Sequence, residues 1–527
     1  MKRPGRPSRR DFDFWRQIGQ SISGRQSSFE ASMEFPMNKP KVVIIGGGIA
    51  GLCTGVYLQK CGFETEILEM HAIAGGLATA WKRSGYTFEN CVHWLVGSKE
   101  GGPLNAGWKE VFDIGRLRFF DDPVYQVLER GDETLTIYRD PGRLRDELLA
   151  KAPGDAAAIR EFVGLIEKFS KFRFPEGDSF LANLGALLKM VPYLPALGKY
   201  GKLTMADYAK KFKHPLLNGF FAAGLGDLSF LAIAFSLGWM ADHNAGYPIG
   251  GSLALIGLVE ENYKKLGGRV RFKTRVERIL VEGGRAVGAA LAGGEEVRAD
   301  VVVSAADGHA TIFEMLDGKF VDEKVKRVYE TYKPFPSYVQ VSLGVGADLG
   351  GEPGFVTTFL DKGIEVDPVT SEDAVSFRVF NFDPTFAPAG KTAVVVFLGT
   401  YNDAHWRGLR ENDRPRYEAE KKRVAAAVIG VFEKRFPKAR GKVEVVDVAT
   451  PATVVRYTGN WKGSMEGWLM TPKTGVKTLS PVLPGLRNFY LAGQWISPGG
   501  GLPAGQITGR MVARRIAKDN NLPWRPA

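Results

Sequence analysis

The sequence predicts an α/β protein, a Rossmann-type dinucleotide-binding domain joined to a discontinuous mixed α+β domain. Three observations predict it. Lys41-Val42-Val43-Ile44-Ile45 is a β-branched run that ends at Gly46-Gly47-Gly48-Ile49-Ala50-Gly51, passes at once into a helical pattern, and is followed by a second run that ends on Glu69. Two more apolar runs, 299–305 and 489–493, lie far downstream, so the parallel sheet is gathered from separated segments. At 527 residues the chain exceeds what one hydrophobic core organises, which leaves the intervening stretches for a second body.

Composition limits the function classes. Apolar residues at 44% and charged residues at 24% match an ordinary globular protein and exclude wholesale disorder, collagen and coiled coil. Seventy basic against 58 acidic side chains give a net charge of +12, which invites an anionic partner: nucleic acid, an acidic lipid surface or a phosphorylated cofactor. The charges are scattered and form no nucleic-acid module, so no nucleic-acid partner is expected. Cys53, Cys61 and Cys91 form neither a CxxC pair nor a zinc cluster; they read as small buried hydrophobes in a reducing compartment, and no metal is expected. No stretch approaches the roughly 20 apolar residues that cross a bilayer. The expected location is the cytoplasm, with peripheral contact at the inner face of a membrane.

The first 36 residues read as a disordered basic arm or one that is not native. Arg9-Arg10 resembles the opening of a twin-arginine signal, but the residues after it form no apolar core for export. Met37 leads straight into the first strand. A chain beginning at Met37 is therefore expected to fold and bind its cofactor as the full chain does, and loss of cofactor on truncation would refute this.

The segment from residue 41 to residue 69 is a complete βαβ unit. Leu52, Val56 and Leu58 supply the apolar side of its helix until Gly62 stops it. Gly46 permits the tight turn, Gly48 lets backbone approach a pyrophosphate, and Gly51 lets helix and strand pack closely; Ile49 and Ala50 begin the helix whose free N–H groups face phosphate. Glu69 can accept hydrogen bonds from adenosine ribose hydroxyls, as an acid at this distance does. These features do not separate FAD from NAD. A second glycine turn, Gly75-Gly76 followed by Leu77, is placed to approach the same cofactor and favours FAD.

The string from Val42 to Gly76, with Gly85-Tyr86-Thr87-Phe88-Glu89, resembles the N-terminal signature of the FAD-dependent phytoene desaturase, carotenoid isomerase and retinol saturase group within the amine-oxidase-like flavoproteins. The C-terminal end is similar too. Asn488 to Gln494 resembles the closing strand of that family, and Ser497 to Pro503 resembles the glycine turn that opens its last helix beneath the flavin ring. Tyr247 to Ser252, Gly267 to Val270, Asn381 to Pro384, Ala387 to Gly390 and Thr450-Pro451 resemble further landmarks. The resemblance covers Lys41 to about Lys518 and implies FAD as cofactor, with Val276 meeting adenine through its backbone and Gly493, Gly500, Gly501 and Leu502 near the flavin. One position departs. Many members carry an acid where this chain has Gln494, although a carboxamide can also donate and accept there.

The expected organisation is an arm over 1–36, an FAD-binding domain made of 37–115, 244–310 and 480–518, a substrate domain made of 116–243 and 311–479, and a tail over 519–527. Residues 135–138 and 394–397 read as strands in the substrate domain, and helices are expected to dominate the rest. The aromatic-rich stretches 180–200, 220–224 and 230–235 are open to three readings: plain helical core, the mouth of a tunnel for a greasy substrate, or a lipid contact.

Gly344-Val345-Gly346 has the wrong spacing for a second dinucleotide site, so a bound pyridine nucleotide is not expected. Flavin then exchanges hydride with an organic substrate and is turned over by oxygen, quinone or another carrier. His93 is the candidate for moving a proton or orienting the substrate. Trp81, Trp94, Tyr247 and Trp495 are candidate walls of the substrate pocket, Trp495 foremost because its segment turns beneath the ring, with His243 and Asp242 as a weaker polar pair. The leading expectation is an FAD-dependent oxidoreductase that desaturates, saturates or isomerises carbon–carbon bonds of a hydrophobic polyene, isoprenoid or lipid. The alternatives are an amine or amino-acid oxidase on the same flavin fold, and a non-catalytic flavin- or lipid-binding protein.

Overall fold

Val42, Val43, Ile44 and Ile45 are 0–3% exposed, which is the burial of a strand covered on both faces. They belong to β1 (Lys41–Ile45), the middle of a five-stranded parallel sheet in a computed structural model that describes residues 39–173, 188–475 and 477–526. The arm expected over 1–36 and the first part of the 180–200 stretch lie outside the described residues. Residues 1–39 and 40–527 are separate units, and the description that follows concerns the second.

The sheet is completed by β2 (Glu64–Leu68), β3 (Arg269–Arg271), β4 (Val301–Ser304) and β5 (Phe489–Leu491), in the order β3-β2-β1-β4-β5. Alternation along the strands divides the core. Val42, Ile44 and Val303 face α1 (Ile49–Lys60), α2 (Gly251–Lys265) and α3 (Gly501–Asp519), whereas Val43, Ile45 and Val302 face an antiparallel meander of residues 276–298. Small residues bring the helices close. A Cβ on Gly505 of α3 would stand 2.5 Å from Ile49 Cγ2, and one on Gly55 of α1 would stand 2.6 Å from the Tyr263 ring of α2. The tail does not hang free after α3, since Leu522 and Trp524 pack on this same core.

The second body differs from expectation in one respect. Helices Pro141–Lys151, Ala156–Ser170 and Phe230–Ala241 dominate its first part, but the second part is built on a seven-stranded mixed sheet. Its strands include Ser337–Val345, Phe355–Asp367, Thr370–Val379 and Thr392–Thr400, paired antiparallel, and the two expected runs fall within Glu133–Tyr138 and Thr392–Thr400. Polar residues inside buried strands hide them from an apolar-run reading. All nine residues of Ser337–Val345 are buried, yet it contains Gln340 and Ser342, whose side chains hydrogen-bond each other at 3.0 Å. Gly344-Val345 ends this strand with the Tyr86 ring against Gly344, a packing role in place of a nucleotide turn.

Of the aromatic stretches, Phe221, Phe230 and Ala234 are fully buried core, where Tyr208 stacks on Phe230 at 3.6 Å. Phe220, Ala222 and Ala223 instead line a cavity described below.

Candidate active site

A cavity of about 670 Å³ opens at the C-terminal edge of the parallel sheet. Two glycine turns close on one another at its base. The Gly46 N–H donates to Leu68 O at 2.9 Å, Gly75 N–H donates to Gly47 O at 2.9 Å, and Gly48 bridges Gly75 in parallel fashion. Gly75 has φ +123°, and a Cβ there would stand 2.4 Å from Ala78 O, so only glycine fits. Gly46, Gly48, Ile49 and Ala50 line the cavity from the first turn, and Gly75, Gly76 and Leu77 from the second. Gly51 does not line it; it is the seat of α1 on the turn, with Gly46 O where its Cβ would be.

Glu69 lines the cavity with Val276, Thr274 and Arg275. Its Oε2 accepts from Gly47 N–H at 2.6 Å and its Oε1 from His71 N–H at 2.7 Å. Each carboxylate oxygen keeps a free lone pair, which is the capacity a pair of ribose hydroxyls needs. The positive-φ glycines, the helix N-terminus and an anchored acid with spare acceptors fit an adenine dinucleotide.

The closing strand supplies Gly493, Gln494 and Trp495 to the same wall. Gly493 N–H donates to Thr508 Oγ1 of α3 at 2.9 Å, which fixes strand to helix. The Gln494 amide donates to Asn460 Oδ1 at 3.2 Å and the Trp495 indole to the same oxygen at 3.0 Å. The departure at Gln494 therefore has a local partner: a carboxylate could not donate to Asn460. Gly501 and Leu502 line the cavity where α3 begins; Gly500 does not, but its missing side chain leaves room for Glu466, whose Cβ would lie 2.9 Å from a Cβ there.

Residues that carry no motif complete the wall. Asp307 lines the cavity and is 5% exposed; it accepts from Ala310 N–H at 2.7 Å and Trp461 N–H at 2.8 Å, and burial pushes its carboxyl up to about 7. Cys91, Asn460 and Glu466 line it as well. Among the described residues no cation pairs with Glu466, and burial alone pushes its carboxyl up to about 7. Glu466 lies on a turn between Gly463 and Gly467 that nothing in the spacing marks as functional.

Between its ordinary value of 4.5 and about 7 the folded Glu466 holds a proton that the unfolded chain has released, so folding loses free energy as pH rises through that window. Glu466→Gln removes the titration. In flavin-free protein the variant is expected to match the parent near pH 4.5 and to exceed it above pH 7 by at most about 3 kcal/mol. Thermal midpoints of both proteins at pH 4.5 and pH 8 check this; a difference that is the same at both values would refute it.

The candidate catalytic and pocket residues divide. Trp495 lines the cavity. His93 lies between Trp94, Phe397 and Arg378, whose Nη2 donates to His93 O at 3.4 Å; burial, with Arg378 nearby, pushes its imidazole down to about 3, so it stays neutral. Trp94 packs on Tyr125 and the helical core. Tyr247 is 2% exposed among Phe380, Phe382 and Phe386. None of His93, Trp94 and Tyr247 is among the residues lining the two cavities. Asp242 pairs with Lys99 and Arg173, and His243 with Asp121, on the surface.

A second cavity of about 800 Å³ adjoins the first, and Met465 is part of both walls. Its floor is one face of the seven-stranded sheet, including Leu128, Phe359 and Phe397. Its roof includes Phe220 and Ala222 of helix Pro215–Ala222, and Leu469 stands beside Met465.

Residues 49–517 match the profile of the flavin containing amine oxidoreductases. Prolycopene isomerase of carrot, Daucus carota, is 25% identical over 91% of this chain and 80% of its own length. The neurosporene-forming phytoene desaturase of Cereibacter sphaeroides is 24% identical over 91% of this chain and 95% of its own. Among solved structures, cyclohexylamine oxidase from Brevibacterium oxydans superposes with a TM-score of 0.57 at 15% identity, covering 91% of this chain and 99% of that one, which is a likeness of fold.

Proposed function

The chain belongs to the flavin containing amine oxidoreductase family, and on that premise we propose that it is an FAD-dependent oxidoreductase, phytoene desaturase-like, that acts on carbon–carbon bonds of a hydrophobic polyene, isoprenoid or lipid. The observation that carries this reading is the adjacency of the two cavities. A cavity of about 670 Å³ with glycine turns at its base meets, at Met465, a chamber of about 800 Å³, a size that takes an extended small molecule. Relatives of this chain named for prolycopene and phytoene support the polyene class.

Bound FAD supplies hydride acceptance or donation. The protein's own residues do the rest. The glycine turns and Glu69 hold the dinucleotide, the N-terminus of α3 presents unpaired N–H groups beside Glu466, and Phe220, Phe359, Phe397 and Leu469 exclude water from the chamber. Glu466, with a carboxyl near 7, holds or releases a proton at its Oε atoms close to physiological pH.

A peripheral membrane position is part of this proposal. Leu188, Val191 and Leu194 are 66%, 54% and 54% exposed on a run of short helical turns ending at Tyr200 that also carries Lys189 and Lys199, with Lys202 just beyond it, the make-up of a contact with anionic lipid. Among the described residues no helix is long and apolar enough to cross a membrane.

The test is incubation of the purified yellow protein with acyclic polyenes and unsaturated isoprenoids, under air and under anaerobic reduction. A shifted polyene absorption band is expected. No spectral change with any apolar substrate, together with peroxide release from amines, would overturn the proposal in favour of an amine oxidase.

A further inference from the structure

The two glycine turns bring amides to the cofactor cavity but no charge. No lysine or arginine occurs between Val42 and Gln59 or between Glu69 and Trp81. Six carboxyl groups, Glu69, Asp307 and Glu466 among them, line the same cavity. A pyrophosphate carries two negative charges, which amide dipoles offset only in part. The cations in the wall come from elsewhere: Arg407 and Arg410 from helix Asp403–Asn412, Arg456 from helix Pro451–Thr458, Lys462 from the turn after it, and Arg275 beside Val276. All but Arg275 belong to the second body.

Position and partners single out two of these. Arg407 is tied to Asp403 of its own helix at 3.5 Å, and Lys462 lies over the Trp461 ring, which adjoins Trp495 at the flavin end. Among the described residues neither Arg410 nor Arg456 pairs with a carboxylate. Their helices pack against each other, and the second ends over the segment that follows Glu69. There the Tyr457 ring meets His71 edge-on at 5.0 Å, and Gly459 lies beside Met70, whose Sδ is 3.7 Å from where a Cβ would stand. Arg456, one turn before Gly459, thus enters the wall beside Glu69 and the crossing of Gly48 with Gly75. We propose that Arg410 and Arg456 close on the pyrophosphate of the dinucleotide from the second body, the charged half of a site whose neutral half is the pair of glycine turns. The proposal rests on the reading of this cavity as the seat of FAD. Planar guanidinium forks match phosphate oxygens two at a time, which a lysine at either place could not do. Arg456 is exposed and Arg410 half-buried, so the attraction is open to screening and cofactor retention falls as salt rises.

The test follows FAD release from the full-length holoprotein on dilution, and the binding of ADP and adenosine to the same protein stripped of flavin, by equilibrium dialysis. Arg410→Gln and Arg456→Gln are each expected to weaken FAD and ADP about tenfold, the loss of one charge-assisted hydrogen bond, and to leave adenosine within about twofold of the parent. Arg456→Lys keeps the charge and should recover part of the loss. Added salt should weaken FAD binding more steeply in the parent than in the double variant. Arg416→Gln, which removes an exposed arginine outside the cavity, is the control and should bind as the parent does. FAD and ADP affinities within about twofold of the parent in both variants and in their double would overturn the clamp and leave the cofactor cavity standing. Equal losses for ADP and adenosine would overturn it as well, because the arginines would then serve the adenine or the fold. Failure of the parent protein to bind FAD would overturn the reading of the cavity, and the clamp with it.

Discussion

Gly51→Ala is expected to give protein that has lost its flavin, with occupancy reduced at least tenfold. The added Cβ would stand 2.0 Å from Gly46 O, 3.2 Å from Gly46 C and 3.4 Å from Ala305 Cβ, and the first of these contacts is with backbone that cannot rotate away. Two adjustments are open. Either α1 slides off the turn and weakens its first bond, Leu52 N–H to Gly48 O at 3.0 Å, or the turn opens and strains the bond from Gly46 N–H to Leu68 O at 2.9 Å. Both displace the amides at the helix N-terminus that a pyrophosphate needs, on top of an overpacking cost of about 1–3 kcal/mol. Gly164→Ala is the control, because that helical glycine has nothing within 4 Å of its would-be Cβ and should be neutral or slightly stabilising. The ratio of flavin to protein absorbance, with far-ultraviolet circular dichroism to follow the fold, decides; full occupancy in Gly51→Ala would refute the assignment of this turn as the cofactor's seat.

The contrast between Gly51 and Glu466 explains what was legible beforehand. The glycine turns, α1 and Glu69 sit within one βαβ unit, where chemistry dictates spacing and spacing is visible in a single line of sequence. Gly493 and Gly501 are legible only through the resemblance of Asn488–Gln494 and Ser497–Pro503 to the closing strand and glycine turn of the family. Glu466, Asp307 and Asn460 come from turns that reach the cavity only through tertiary folding, and an isolated acid on a glycine-flanked turn has no periodicity to announce it. Glu372 and Ser376 fail to be legible for a different reason. Alternation tells that they share a face, but which face meets the chamber depends on the sheet's position over the helices, and the sheet itself was obscured by Gln340 and Ser342 in its most buried strand. His93 differs again: it lies two residues after Cys91, which lines the cavity, yet the chain turns its ring toward Trp94 and Phe397 and away from both cavity walls.

The segment that carries His93 is anchored by Glu89, and Glu89→Ala is expected to cost about 3–5 kcal/mol of stability and to loosen the cofactor. The side chain is 1% exposed at the end of strand Tyr86–Glu89. Its Oε1 accepts from the backbone amides of Asn90, Cys91 and Val92, at 3.1, 2.9 and 3.1 Å, and from Ser252 Oγ; its Oε2 accepts from Ser252 N–H at 2.8 Å. One carboxylate thus ties the turn that sets Cys91 in the cavity wall to the first residues of α2. Gly251 leaves the space, since a Cβ there would stand 2.2 Å from Glu89 Oε2. Alanine strands these donors away from water and leaves a void beside Phe386 and Tyr247, whose hydroxyl has no hydrogen-bond partner among the described residues. Glu89→Gln keeps the volume but turns an N–H₂ toward one of the donors, so its loss should be intermediate. Urea midpoints of the flavin-loaded proteins measure the order parent, Gln, Ala, and flavin release on dilution should follow the same order. A loss below about 1 kcal/mol in Glu89→Ala would mean that the turn at Cys91 is held by its other contacts, Asn90 to Leu77 O and Tyr338 to Asn90, and that the cavity wall does not depend on this carboxylate.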